Sequence, residues 1–372
     1  MGKIFVIIML VIIGTSCSEN KKNKINKLNK LSFKPEIVIG NDTTNNDGWF
    51  VLLNDFCVLP NGDIYGVDYR GKKVKVFNKN GNPLFSFGRK GRGPGEFLYP
   101  TQINAYKDKY IFVSDPGRKN ISKFNIKGEF IKLINFKDRI VKFEIFNNGN
   151  IVVETVKIIY NNLSQSLGKL QLLNNDLITI KSSIYEKQGS PLAWVTGTND
   201  GQRFTTTIPF HPSLQWDIIQ DRLYVGFTNK FEILIFNENG TLIGKIKKEI
   251  TPVEVRQKEK ENWKRNTLKN FKNRPRISMN ILSKSLDKIQ IPNYKPAFSK
   301  LLKFSSGLGV IVPQSKTSKT YKIIFFNKKG EEIREGIIEY NDFKYFYGKY
   351  YRRTGGKDKS FTITRYQQIQ ML

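Results

Sequence analysis

One histidine, His211, serves the whole chain of 372 residues, and that sharply limits the chemistry available near neutral pH. A lone histidine cannot build a histidine-rich zinc site, and no cysteine cluster or His-Glu-x-x-His spacing takes its place. A nucleophilic triad would have to recruit Ser213 and Asp217 along the same loop and strand, which is not the spacing by which triads are recognised. The plainer role for His211 is to cap the turn Pro209-Phe210-His211-Pro212. No catalytic residue is assigned on these grounds. Asp68 and Asp115 could offer carboxylate oxygens to Ca²⁺, a hard cation. An aspartate that follows a strand more commonly caps the next turn, so no cofactor is expected, with Ca²⁺ as the one candidate ion.

The run Gly88-Arg-Lys-Gly-Arg-Gly-Pro-Gly-Glu-Phe97 is rich enough in glycine to cradle a phosphate. It fails both nucleotide fingerprints, because no Gly-Lys-Ser/Thr ending and no helical pattern follow it. It reads instead as a sharply turning connector. Arg92, Glu96 and Tyr99 in this connector are candidate ligand contacts, as are Trp194, Phe210, His211 and Trp216 in the long stretch between the third and fourth repeats. Long loops on a rigid scaffold are where binding resides, although Trp216 also suits a core position and Glu96 a cap on local amides.

The elements that must position these residues repeat. Gly62-Asp-Ile-Tyr-Gly-Val-Asp68, Val74-Lys-Val-Phe77 and Asn80-Gly81 return as Lys109-Tyr-Ile-Phe-Val-Ser-Asp115, Ile121-Ser-Lys-Phe124 and Lys127-Gly128, each 47 residues on. Repeats of about 40–50 residues with several short strands are the signature of propeller blades. A third unit follows through Val141–Phe146, Gly149–Glu154 and Lys169–Asp176, with Asn175-Asp176 as its turn. A fourth contains Leu214–Asp217, Asp221–Phe227, Phe231–Phe236 and the turn Asn239-Gly240; a fifth contains Phe298–Phe304, Gly309–Val312, Tyr321–Phe326 and Lys329-Gly330. Two remnants, Glu36–Gly40 near the start and Tyr345–Tyr351 with Ser360–Arg365 near the end, together supply a sixth unit. Pairing them would close the ring and remove its exposed sheet edges. The fold class expected is therefore all-β, a six-bladed β-propeller rather than a seven-bladed one.

One segment breaks the pattern. Residues 252–292 lack strand alternation and carry helix formers, which predicts a helical insertion. Ile277, Ile281, Leu282, Leu286 and Ile289 fall on one helical face and should pack on the propeller.

These features resemble the six-bladed β-propeller lipoproteins of Gram-negative bacteria, relatives of NHL-repeat propellers. The motif that carries the resemblance is Gly91, Gly93, Pro94, Gly95, Glu96 and Phe97, then Pro100 and Val113-Ser-Asp115. The resemblance spans residues 33–372 and implies a rigid disc that binds at one mouth of its channel, usually without chemistry of its own. Related propellers that are lyases or lactonases use histidines, a bound Ca²⁺ or Zn²⁺, or both. A metal-dependent enzyme acting on a carbohydrate or ester is thus the alternative to a binding or assembly module.

The first sixteen residues place Lys3 before ten apolar residues, Ile4–Ile13, and then Gly14-Thr-Ser-Cys17. The apolar run is too short to span a bilayer and suits an export signal. Small residues before a cysteine resemble a lipobox, in which Cys17 would be acylated, although Gly14 stands where the motif has leucine. Residues 17–32 then read as a lipidated polar tether and residues 33–372 as the domain. Cys57 is the only other cysteine, so the mature domain can hold no internal disulfide. The net charge of +30 is concentrated, with +5 in residues 18–34, +7 in 252–292 and +6 in 343–372. It is not spread along a groove of interleaved aromatics, so nucleic acid is not an expected partner. An envelope protein or an anionic glycan or lipid is, together with the membrane itself through the anchor. The expected location is the cell envelope of a Gram-negative bacterium, and the expected state a monomer.

Overall fold

The computed structural model describes residues 29–159, 165–174, 180–188, 192–196, 198, 201, 203–272, 274, 276–315, 320–356 and 359–369. Cys17 and the turn Asn175-Asp176 lie outside them.

β1 (Asn29–Ile39) comes first, so strand pairing starts four residues ahead of the expected domain start. Leu31 in it is fully buried. β2 (Leu53–Val58), β3 (Ile64–Asp68), β4 (Lys73–Phe77) and β5 (Pro83–Phe87) form the first four-stranded antiparallel blade. β6 (Gln102–Tyr106), β7 (Tyr110–Asp115), β8 (Asn120–Asn125) and β9 (Phe130–Asn135) form the second. The third contains β10 (Arg139–Ile145), β11 (Ile151–Ile159), β12 (Gln165–Leu173) and β13 (Ile180–Gln188). A separate hairpin follows, β14 (Leu192–Thr196) with β15 (Arg203–Thr207). The fourth blade is β16 (Leu214–Ile219), β17 (Arg222–Phe227), β18 (Glu232–Phe236) and β19 (Leu242–Lys247). Two helices, α1 (Gln257–Phe271) and α2 (Met279–Asp287), precede the fifth blade of β20 (Lys300–Phe304), β21 (Gly307–Val312), β22 (Tyr321–Phe326) and β23 (Glu332–Ile338). β24 (Lys344–Phe346), β25 (Lys349–Gly356) and β26 (Lys359–Ile369) come last and take β1 as their fourth strand.

The terminal remnants thus share one blade, as the repeat count requires. Ser32 to Ile39 of β1 pair antiparallel with Ile369 to Ile363 of β26. The Glu36 carboxylate accepts from Lys349 at 2.8 Å and Arg365 at 2.9 Å, tying β1 to β26 and, beyond it, to β25. Asn29–Leu31 also run parallel to Gly336–Ile338 of β23, fastening the closing blade to the fifth.

The repeated residues have repeated jobs. Asn78, Asn125, Asn237 and Asn327 each accept two backbone N–H groups with one side-chain oxygen, closing the outer hairpin of a blade. Glycines 81, 128, 240 and 330 follow with φ of 80–88°, a left-handed conformation natural only to glycine. Between blades, apolar faces meet in successive cores such as Val67, Val74, Ile103 and Val113 between the first two.

Each blade has four alternating strands, so the chain leaves a blade on the face where it began. Every blade-to-blade connector therefore lies on one face of the disc. Both interruptions, the β14–β15 hairpin and the α1–α2 insertion, are connectors of this kind and stand together. Trp263 of α1 donates to the Thr207 carbonyl of β15 at 3.3 Å. The insertion lies where the sequence placed it, but its apolar stripe packs differently. Leu282 and Leu286 of α2 bury against Phe271, Trp263 and Leu268 of α1, with Ile277 and Ile289 at the margins. The two helices supply each other's apolar partner, and the stripe is spent on that hairpin core rather than on a blade.

Candidate functional site: a charged channel

The first strand of each blade lines the central channel, and these inner strands splay apart instead of forming a ladder. Polar side chains bridge the gaps. Asn54 Nδ2 donates to the Thr101 carbonyl and Asn104 Nδ2 to the Phe143 carbonyl, each at 2.7 Å. Asp55 accepts from the Ile103 amide at 3.1 Å. Lys142 Nζ donates to the Trp216 carbonyl at 2.7 Å, and Lys300 Nζ to the Asn341 carbonyl at 2.6 Å. Lys344 closes the circle from the sixth blade to the first, reaching Asp55 Oδ1 at 2.6 Å and the Phe56 carbonyl at 3.0 Å.

Within this belt the channel holds acids and bases in balance. An upper chamber of about 240 Å³ is lined by Asp55, Glu144, Asp217 and Asp342 and by Lys142, Lys300, Lys303 and Lys344. A lower chamber of about 440 Å³ continues past Cys57, Tyr106, Ile145, Tyr345 and Tyr347, and the two share Asn104, Glu144, Lys303, Tyr345 and Phe346. Lys142 lies 3.8 Å from Asp217 and 3.9 Å from Glu144. Burial pushes the Glu144 carboxyl above the usual carboxylate range, Lys142 opposes that push, and Asp217 adds to it. Burial likewise pulls Lys300 down. For Lys344 burial alone would do the same, but the Asp55 carboxylate outweighs it and raises the ammonium. Among the described residues no three His, Cys, Asp or Glu side chains gather as a metal site would need.

Asp68 and Asp115 are fully buried and act as caps, not as channel ligands. Asp68 accepts from the Val51, Leu52 and Gly71 amides at 2.9–3.0 Å. Asp115 accepts from Leu98 at 2.7 Å, Tyr99 at 3.0 Å and Arg118 at 3.3 Å. The glycine-rich run is a connector held from within. Glu96 accepts from Gly93 N at 2.7 Å and Arg89 Nε at 2.8 Å, while Arg118 donates to the Glu96 and Arg92 carbonyls at 2.7 Å.

Arg92, Glu96 and Tyr99 stand on the connector between the first and second blades, and Trp194, Phe210 and His211 on the one between the third and fourth, both on the connector face. Tyr99 is exposed beside Tyr69, with Lys72 over both rings. Phe210 has a left-handed φ of 59° in its turn. Trp194 belongs to β14, opposite Thr205. His211 is half-buried, which lowers its basicity. The triad partners are engaged elsewhere, the Ser213 hydroxyl accepting from Gln215 and Asp217 facing Lys142. Trp216 is not a surface contact. It is 4% exposed in the core between the third and fourth blades and donates Nε1 to Glu154 at 2.7 Å, because the strand's alternation turns its ring into the interface while Asp217 faces the channel. The channel charges are not among the residues that the sequence singles out. Their signal was a polar residue recurring in the first strand of each unit, Asp55, Asn104, Glu144, Asp217, Lys303 and Lys344.

Residues 53–215 match the sequence model of a family described as a 6-bladed beta-propeller. The chain is a six-bladed β-propeller. It is similar to the NHL-repeat protein E3 ubiquitin-protein ligase NHLRC1 of Rattus norvegicus, 23% identical over 213 residues, covering 54% of this chain and 47% of that protein. The chain thus spans about half the length of that curated relative. This propeller also follows the crystal structure of a candidate exported protein of Bacteroides fragilis, with a TM-score of 0.55 at 13% identity over 94% of this chain and 98% of that one. Virginiamycin B lyase from Staphylococcus aureus aligns with a TM-score of 0.41 at 11% identity, over 91% of this chain and all of that one.

Proposed function

We propose that this propeller is an exported, lipid-anchored binding module of the bacterial cell envelope, which presents its connector face and channel to a soluble ligand or partner. The observation that carries the proposal is the polarity of the disc. All the long connectors, with both insertions, stand on one face, whereas β1 is the outer strand of its blade, runs toward that face and so begins at the opposite one. A tether from Cys17 to Asn29 reaches at most roughly 40 Å, and it approaches from the face opposite the connectors. The +7 insertion then points away from the anchoring membrane, which suits an acidic protein or glycan better than the head groups beneath. The balanced channel, in which Asp55 and Asp217 face lysines and Asp342 an arginine, supports binding over metal-assisted catalysis.

Two measurements test this. Fractionated cells should hold the wild-type protein in palmitate-labelled membranes and Cys17→Ser in the soluble fraction; a Cys17→Ser protein that still sediments and labels would defeat the anchor. Elemental analysis after dialysis against Ca²⁺ should find no stoichiometric ion. An ion bound one-to-one that also raises the unfolding temperature would favour the enzyme.

A further inference from the structure

The channel side chains divide into those consumed in joining blades and those left over. Asp55, Asn104, Lys142, Lys300 and Lys344 bond a neighbouring strand or connector, and Asp342 pairs with Arg352 at 2.7 Å. Among the described residues Glu144 has only the long approach of Lys142, no carboxylate comes within 4 Å of Lys303, and Gln102 Oε1, buried in the wall of the upper chamber, has no donor. Glu144 and Lys303 both line the junction of the two chambers, and the lysine is near enough for its charge to act on the carboxyl without touching it.

An acid and a base held close but apart, in a channel walled by protein, keep the desolvation cost of both charges without the gain of a contact. A molecule that inserts one group of each sign between them satisfies both. We propose that the junction binds the zwitterionic head of a free α-amino acid, its ammonium on Glu144 and Gln102 and its carboxylate on Lys303. The lower chamber then receives the side chain. Its wall sets the rings of Tyr106, Tyr345 and Phe346 beside the polar Lys107 and Asn147, a lining that suits an aromatic one packed against those rings. This assignment rests on the binding-module proposal and names its ligand class.

The test is saturation-transfer ¹H NMR on the full chain with L-phenylalanine, phenylalaninamide, which lacks the carboxylate, and 3-phenylpropionate, which lacks the ammonium. L-phenylalanine should bind saturably, and each analogue about tenfold more weakly, the effect of one lost charge-assisted contact. Lys303→Gln should bind L-phenylalanine and phenylalaninamide alike, and Glu144→Gln should bind L-phenylalanine and 3-phenylpropionate alike. Both comparisons are ratios within one variant and so do not depend on how much of it folds. Absence of L-phenylalanine binding, or variants that keep the wild-type preferences, would overturn the amino-acid site and leave the binding module to its own tests. Conversion of L-phenylalanine during incubation would instead overturn the binding module and leave the site standing.

Discussion

Asp115 offers the sharpest test of how this fold is held. Its carboxylate is fully buried and accepts three backbone N–H groups from the connector and the following turn. Asp115→Ala removes the acceptor and leaves those donors shielded from water. An unsatisfied buried donor costs about 1–3 kcal/mol. The Arg118 amide, 3.3 Å from the carboxylate, keeps its other bond to the Asp115 backbone carbonyl at 3.0 Å, so the Leu98 and Tyr99 amides carry the loss, roughly 2–6 kcal/mol together. A threonine hydroxyl can accept such an amide, as Thr228, just beyond the matching strand of the fourth blade, does from Ser213 N at 2.9 Å. Asp115→Thr should therefore recover about 1–2 kcal/mol of the loss. Urea unfolding, followed by circular dichroism with the exposed Asp108→Ala as control, measures all three. An alanine variant within about 1 kcal/mol of wild type would refute the capping account, since among the described residues the Leu98 and Tyr99 amides have no second acceptor.

Four further outcomes follow from the same geometry. Glu144 is protonated more readily folded than unfolded, so its contribution is full below pH 4.5 and lost as pH rises through its raised folded value; Glu144→Gln should be more stable than wild type at pH 7, with the gap closing in melts below pH 4.5. Lys344→Met strands Asp55 in the channel and should cost about 1–3 kcal/mol, discounted for the partial exposure of the lysine; a denaturation midpoint unchanged from wild type would show the bridge idle. Arg118→Ala should speed amide exchange at Gly91 and Phe97, whose bonds close the glycine-rich loop, without changing exchange in β7 or β8. Leu282→Ala should cost about 2–4 kcal/mol locally, seen as proteolysis within residues 257–287 while the propeller stays intact; unfolding of the whole disc would show that the insertion has no core of its own.

The blades were legible because their signals are local. Apolar strands, an asparagine two residues before a turn and a left-handed glycine recur at one spacing, and each acts on backbone groups a few residues away. The pairing of Glu36–Gly40 with the last strand was legible for a different reason, since a ring with an unmatched strand would leave raw edges. What stayed hidden depends on contacts between distant segments. Nothing local in Met279–Asp287 says whether its apolar stripe will meet a blade or α1. The β14–β15 hairpin, at Leu192–Thr207, follows no repeat. The channel charges are polar residues scattered among the apolar ones of the inner strands, and only the convergence of six such strands brings Glu144 and Lys303 to one junction while setting Asp55 against Lys344.

The closing blade also sets a clock. β1 is made 320 residues ahead of its partner β26, counting from Ile39 to Lys359, so at roughly 5–20 residues per second the strand waits on the order of tens of seconds for its mate. Throughout that interval the five middle blades form an open spiral with an unpaired strand at one end. The ring becomes a ring only when residues 359–369 arrive, and a chain stopped short of them keeps its sticky edge. Arrival of that last strand, rather than the folding of any one blade, is therefore the event that renders this molecule safe from its own copies.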